Sequence, residues 1–219
     1  MLILNFSSVL KAWPMFLHGV WLTAALTAVS CSLGTLLGIA CAWCRIHGAR
    51  WMRIGVASYV EFLRNTPFLI QIFFIFFGLP SIGLRFGNVT ASIIALTLNL
   101  GAYSCEIIRA GIEATPRGQI EAAQSLALNR WQIFSRVIIP PAFARIWPAL
   151  TSQFIIMMLV SALCSQISTD ELSYAANFVA GQTFRSFESY IVVTVCYLIL
   201  AIGLRRFLQW LGPRFIFGY

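Results

Sequence analysis

The sequence predicts an all-α integral membrane protein with five transmembrane helices, and three observations lead to this fold class. Hydrophobic residues make up 59% of the chain, charged residues only 10%, and the mean hydropathy is +0.83. Water-soluble domains carry about 25% charged residues. The apolar residues also form continuous runs, which favours spanning helices over the alternating strands of a membrane barrel.

Five runs reach the ~20 apolar residues that a spanning helix needs. They are Pro14–Trp43, Tyr59–Leu79, Val89–Ile112, Ile146–Ile167 and Tyr190–Leu208. The two longest connections, Glu113–Arg145 and Ser168–Ser189, are too short and too polar to bury a separate core. We therefore expect residues 1–219 to form a single transmembrane domain, whose first run is too long for a signal peptide and is retained as a span.

The fifteen cationic residues divide unequally between the two sides of the predicted membrane. Three fall on the side of the N-terminus: Lys11, Arg85 and Arg185. Twelve fall on the other side: Arg45, Arg50, Arg53, Arg64, Arg109, Arg117, Arg130, Arg136, Arg145, Arg205, Arg206 and Arg214. Because cations near span ends stay in the cytoplasm, the N-terminus is predicted outside and the C-terminus inside. The formal charge of +8 then reflects topology and contact with anionic membrane lipid, and requires no nucleic acid.

Several kinds of chemistry are disfavoured. Lys11 is the only lysine and lacks a glycine-rich loop, so the chain has no ATP-binding loop of the ATPase type. His18 and His47 lie 29 residues apart at opposite ends of the first span. At the helical rise that separation is roughly 40 Å, too far to share a metal or haem.

Two spacings in the first span have open interpretations. Cys41 and Cys44 could be a redox or metal pair, or small apolar residues on a packed helix face. Gly34 and Gly38 could form a face for subunit dimerisation, or allow close packing within the bundle.

The connection Glu113–Arg145 is the most informative segment. It predicts a short helix after a Pro/Gly start, then a second helical stretch ended by Pro140 and Pro141. Glu121, Ala122 and Ala123 place one carboxylate and two small side chains on the first helix, where a partner surface could approach closely. A rigid lever between two spans and a solvated connecting helix both fit this pattern.

The segment resembles the cytoplasmic coupling loop of ABC importer permeases. The shared pattern is Glu121-Ala122-Ala123, a small residue at Ala127, and two aliphatic residues before Pro140. The runs 61–71, 98–112 and 117–119 are similar to the polar amino acid subfamily (histidine, glutamate, glutamine or arginine type), and the resemblance extends from about Leu17 to Leu208.

This resemblance implies a type I ABC importer permease of the bacterial inner membrane, with no catalytic residue, cofactor or metal of its own. It implies pairing with an identical or homologous permease, two cytoplasmic ATPase subunits that bind ATP and Mg, an external solute-binding protein, and an amino-acid substrate. The residues that it assigns to ATPase coupling are Glu121, Ala122, Ala123, Leu126 and Ala127.

Two departures from the family pattern affect function. Ala127 stands where the family usually has Gly, although Ala favours helix over Gly by about 1 kcal/mol. Leu159 and Val160 precede Ser161 where many relatives have a polar or charged pair, so an ionic substrate contact is not expected there.

Polar residues inside the spans are candidates for the substrate pathway, since such groups tend to face the bundle or a wet path. The candidates are Asn99, Tyr103, Ser161 and Gln71, with interhelical hydrogen bonding as the alternative. We expect Glu106, Arg109, Glu61 and Arg64 to be structural ion pairs at the span ends, rather than substrate contacts.

Two functions of other classes compete with transport. An intramembrane hydrolase needs a nucleophile beside a base at bilayer depth, but both histidines lie at the edges of the first span. A non-catalytic scaffold subunit would not require the coupling-loop pattern. Co-purification of an ATPase would distinguish transport from both alternatives.

Overall fold

The computed structural model describes residues 4–212 and residue 214, and over these residues it contains helices and no strand. Ten α-helices follow in order: α1 (Ser7–Lys11), α2 (Trp13–His47), α3 (Arg50–Arg64), α4 (Phe68–Phe73), α5 (Asn88–Glu113), α6 (Arg117–Ser125), α7 (Arg130–Gln132), α8 (Ile139–Val160), α9 (Leu172–Thr183) and α10 (Ser186–Leu211). Four continuous helical segments are long and apolar enough to span a membrane: Trp13–His47, Asn88–Glu113, Arg130–Ile167 and Ser186–Leu211. A bent pair of helices is the fifth candidate, so the all-α, multi-span prediction is confirmed.

The predicted second span, Tyr59–Leu79, is not one straight helix. α3 ends at Arg64, and the axis turns by 110° before the helical segment Phe68–Ile82 begins. Thr66 precedes a proline and is therefore disfavoured in helical conformation, while Pro67 adopts an extended backbone before α4. The apolar run identifies residues that avoid water, but it does not report the direction of the chain.

The prediction that Pro140 and Pro141 end a helix is wrong. Both lie in the first turn of α8, which continues to Val160, so the fourth span begins well before Ile146. A proline is tolerated in a first turn because its missing N–H would have no partner there. The preceding turn, Ile133–Ile138, is a π-helix that joins α7 to α8.

The connection Ser168–Ser189 is not a polar loop, because it contains α9. The apolar face of α9 includes Leu172 and Ala176, which pack with Val9 and Phe16 in a small second core. Both Glu171 carboxylate oxygens accept backbone N–H groups at the start of α9, each at 2.9 Å, and one also accepts the Tyr197 hydroxyl. Burial raises the pKa of the Glu171 carboxyl, and these hydrogen bonds oppose that shift.

Glycines on α2 press directly against α5 of the same chain. A Cβ added at Gly34 would lie 2.9 Å from Leu100 Cβ, and one added at Gly38 would lie 2.5 Å from Ser104 Cβ. Of the two interpretations of this glycine spacing, the structure therefore supports packing within the bundle. The close approach of α2 and α5 forms the centre of the main core.

Candidate functional site

The predicted coupling segment forms a short exposed helix that is fastened at its base. α6 begins directly after Pro116. Two residues before that proline, the Ala114 carbonyl accepts a hydrogen bond from Arg145 of α8 at 2.8 Å. Arg109 pairs with Glu113 at 2.6 Å at the end of α5. The base of α6 is thus attached to both α5 and α8, so movement of α6 can be transmitted to these two spans.

One face of α6 is open and the opposite face is closed. Glu121, Ala122 and Leu126 are exposed, and Leu126 retains 76% of its accessible area. Ala123, which the family resemblance assigns to ATPase coupling, is 4% exposed and therefore lies on the closed face. Because helix positions 121 and 123 point in nearly opposite directions, Glu121 is directed outward when Ala123 faces the protein.

Ala127 adopts a left-handed conformation, with φ of 56°. Its N–H donates to the Gln124 carbonyl at 2.9 Å, and the next N–H, of Leu128, donates to the Ala123 carbonyl at 3.2 Å. These are the two bonds of a Schellman motif, whose left-handed residue is usually Gly. The helix break therefore forms with Ala in the usual glycine position.

A second hydrogen-bonded motif begins α7, the helix that follows the break. Asn129 accepts the Gln132 N–H at 2.9 Å, and the Gln132 side chain accepts the Asn129 N–H at 2.9 Å. This reciprocal pair is a capping box, which stabilises a helix start by about 1 kcal/mol. The turn between α6 and α7 is thus specified from both sides.

A cluster of charges lies where α2, α3 and α5 meet. Glu106 accepts from Arg109 at 2.7 Å and from Arg45 at 3.1 Å, and Arg64 lies 4.0 Å away. The Glu106 side chain is 19% exposed, so it is screened less than a surface carboxylate. One carboxylate thus ties three helices together.

The expected pairing of Glu61 with Arg64 does not form. Among the residues that the structure describes, no Glu61–Arg64 ion pair falls within 4.0 Å, and Arg64 instead faces Glu106 and stacks over the Tyr103 ring at 5.4 Å. The spacing of three residues permits contact on a helix but does not require it. Glu106 is only 19% exposed whereas Glu61 is exposed, so the attraction between Arg64 and Glu106 is screened less by water.

Tyr103 lines a cavity of about 370 Å³ that this charge cluster borders. Arg45, Glu61, Arg64 and Glu106 also line it, so charges of both signs face the same space. The cavity can therefore accommodate a small molecule that carries both a carboxylate and an ammonium group.

The other three pathway candidates are buried and bonded within the protein. Asn99 donates to Gln71 at 2.9 Å, and the Gln71 amide donates to the Leu63 carbonyl at 2.8 Å and to Thr66. Ser161 donates to the Met158 carbonyl of its own helix at 2.6 Å. Gln71 and Asn99 thus connect the two arms of the 110° bend to α5.

Sequence reasoning missed Arg45 as a member of the charge cluster. Arg45 lies 61 residues before Glu106, and only the packing of α2 against α5 brings them together. The signal in the sequence was the Gly34/Gly38 spacing, about two to three helical turns before Arg45, which allows these two helices to approach closely. The Cys41–Cys44 pair lies on the same part of α2, and both are free thiols.

The family of the chain follows from comparison with known proteins. Residues 34–217 match the model of the binding-protein-dependent transport system inner membrane component family, and the chain belongs to that family. It is therefore a multi-pass inner-membrane permease of the binding-protein-dependent class, and the fold is that of a type I ABC importer permease.

Three similar proteins can be placed beside it. A probable glutamine ABC transporter permease protein of Bacillus subtilis is 33% identical over 211 residues, covering 96% of this chain and 98% of the relative. The arginine transport system permease protein of Bacillus subtilis is 32% identical over 200 residues, covering 91% of each. A crystal structure of an amino acid ABC transporter with histidines superimposes with a TM-score of 0.90 at 35% identity, covering 97% of this chain and 100% of that chain.

Proposed function

We propose that this chain is the membrane-spanning permease subunit of an ATP-driven amino-acid importer. It forms the translocation pathway together with a second permease, identical or homologous, and receives force from two cytoplasmic ATPase subunits. An external solute-binding protein delivers the amino acid. ATP and Mg bind to the partner subunits, and this chain carries no ATP site of its own.

The observation that carries the proposal is the geometry of α6. A nine-residue helix with an outward carboxylate, an exposed Leu126 and a base fastened to α5 and α8 is suited to fit a groove on a partner. Movement of α6 would act on both spans, because its two flanking connections are short. We assign docking to Glu121, Ala122, Leu126 and the break at Ala127, while Ala123 holds α6 against the protein.

The amino-acid substrate is supported by the relatives and by the cavity beside Tyr103. An amino acid carries both charges, and the cavity presents two guanidinium and two carboxylate groups. We place Tyr103 on the pathway, with Gln71, Asn99 and Ser161 shaping it through the bend and the fourth span. Tyr103→Phe should keep the ring over Arg64 and remove only the hydroxyl. Uptake at saturating binding protein would then fall if that hydroxyl contacts substrate.

The proposed orientation places the N-terminus outside and α6 in the cytoplasm. Gly118 on α6 and Asn177 on α9 are both exposed, so a cysteine at either position can be reached by a reagent. In intact cells and a cysteine-free background, an impermeant thiol reagent should label the cysteine at Asn177 and spare the one at Gly118. The reverse pattern would contradict the orientation.

The function is tested by reconstituting the permease with its ATPase and binding protein in vesicles and measuring ATP-dependent amino-acid uptake. Glu121→Lys should reduce co-purification of the ATPase and abolish uptake, because it reverses the charge at the centre of the open face. Asp170→Lys is the matched control, since Asp170 is an exposed carboxylate just before α9. Normal uptake by Glu121→Lys would show that force enters the permease elsewhere.

A further inference from the structure

Three aromatic rings join the end of α2 to the segment that follows the coupling helix. Trp43 and His47 lie one turn apart on α2, and their rings stack with centroids 4.2 Å apart. Phe134 meets both rings edge to face, with its centroid 5.4 Å from that of Trp43 and 5.8 Å from that of His47. These distances and angles are those of attractive aromatic pairs. We call the three residues the aromatic bridge, because they connect parts of the chain that are distant in sequence.

Phe134 lies in an unusual helical turn. It is the second residue of the π-helix Ile133–Ile138, which joins α7 to α8. Single π-helical turns inside longer helices occur frequently at functional sites. The coupling helix α6 lies against this same turn. The π-helical turn therefore contacts α6 directly, and it contacts α2 through the Phe134 side chain.

A cavity of about 100 Å³ adjoins the aromatic bridge. Trp43 and Phe134 line it together with Ile112 of α5 and Ile146 of α8, and the remaining lining side chains are also apolar. Protein interiors are close-packed and contain few voids larger than a water molecule, so most buried side chains have no room to move. A void at this position leaves room for the Phe134 ring to shift against α2 without steric overlap.

We propose that the aromatic bridge transmits movement of the coupling segment to α2, an inference that rests on the proposed function. Arg109 and Arg145 attach the base of α6 to α5 and α8, and Phe134 adds the first span as a third connection. Trp43, His47 and Phe134 are positioning residues, since none of them lines the proposed substrate cavity. A contact shifts an equilibrium between two states only by the difference in its own energy between them. Loss of the bridge therefore lowers the efficiency of coupling and leaves ATPase docking intact.

The test uses the complete transporter in vesicles and measures the amount of amino acid imported per ATP hydrolysed. Phe134→Leu keeps an apolar side chain but removes the ring, so this ratio should fall about two- to tenfold, the range that an aromatic pair contributes to an equilibrium. Co-purification of the ATPase should be unchanged, because α6 keeps its open face. Phe134→Tyr keeps the ring and should match wild type. Phe178→Leu is the matched control, because it removes a ring that stacks with Tyr174 in α9, outside the coupling segment.

A double-mutant cycle tests whether the rings on α2 and on the π-helical turn act through one contact. Trp43→Leu should lower the ratio by itself, and adding it to Phe134→Leu should lower the ratio little further, because the contact is already lost. Full additivity of the two effects would overturn the proposal, as would an unchanged ratio in Phe134→Leu, with or without a lower thermal midpoint. Loss of ATPase co-purification in Phe134→Leu would also overturn it, since the ring would then serve docking. The proposed function fails separately, if wild type itself neither retains the ATPase nor imports an amino acid.

Discussion

Ala127→Gly should stabilise the break between α6 and α7. At φ of 56°, the Ala127 Cβ crowds the following carbonyl, which costs an L-residue about 1–2 kcal/mol. Gly avoids that strain but loses more conformational freedom on folding, by roughly 0.5–1 kcal/mol. With values near the middle of both ranges, the net effect is about 0.5–1 kcal/mol in favour of the break, or a two- to fivefold shift in the equilibrium for its local opening.

Hydrogen exchange at the Leu128 amide measures this opening. That N–H donates to the Ala123 carbonyl at 3.2 Å and is released when the break unwinds. After correction for intrinsic exchange rates, its protection should rise two- to fivefold in Ala127→Gly.

The matched control is Ala122→Gly, five residues earlier on an exposed face of α6. Gly in a helix interior costs about 1 kcal/mol relative to Ala, so protection should fall in this variant. If Ala127→Gly lowered protection as Ala122→Gly does, the left-handed conformation of Ala127 would not be the determinant of the break.

Three further predictions concern the scaffold. Gly38→Ala should lower the stability of the full chain by about 1–3 kcal/mol, because the added Cβ would lie 2.5 Å from a serine Cβ on α5. Gly55→Ala is the control: a Cβ added there meets no packing neighbour within 4 Å, so this variant should be neutral or stabilising in the same thermal assay. Gln71→Leu and Asn99→Leu should each cost about 1–3 kcal/mol by leaving the other amide unpaired, and the double variant should cost less than their sum. The raised pKa of Glu171 means that the folded state favours its protonated carboxyl, so its contribution to stability is present in acid and is lost as the pH rises through the folded pKa. Glu171→Gln should therefore flatten the dependence of stability on pH, and an unchanged dependence would refute this prediction.

The spans were predictable because a helix in a bilayer needs a continuous apolar run, and such runs can be read directly. The directions and bends of these spans could not be predicted in the same way. The 110° bend at Thr66-Pro67 and the passage of α8 through Pro140 depend on local backbone geometry that hydropathy does not report. α9 escaped prediction because its buried face consists of three alanines, one leucine and one valine, too short and weak a signal to separate from a loop.

The candidate sites were predictable only where the residues are neighbours in sequence. Glu106 and Arg109 are three residues apart on one helix and do meet, whereas Arg45 joins them from another span. The Gln71–Asn99 bond likewise links residues 28 apart. The motif indicated the proposed coupling segment, but only the three-dimensional packing shows that Ala123 is buried while Glu121 is exposed.

The central claim, that α6 receives the force of an ATPase, is tested most directly by cross-linking in the assembled transporter. A single cysteine replaces Glu121 in a cysteine-free background, with a cysteine at Asn177 as the control on the other predicted side of the membrane. A short thiol cross-linker should join position 121 to the ATPase subunit, and the yield should change with the nucleotide state, while position 177 gives no ATPase product. A transport-active complex in which position 121 never reaches the ATPase would contradict the account.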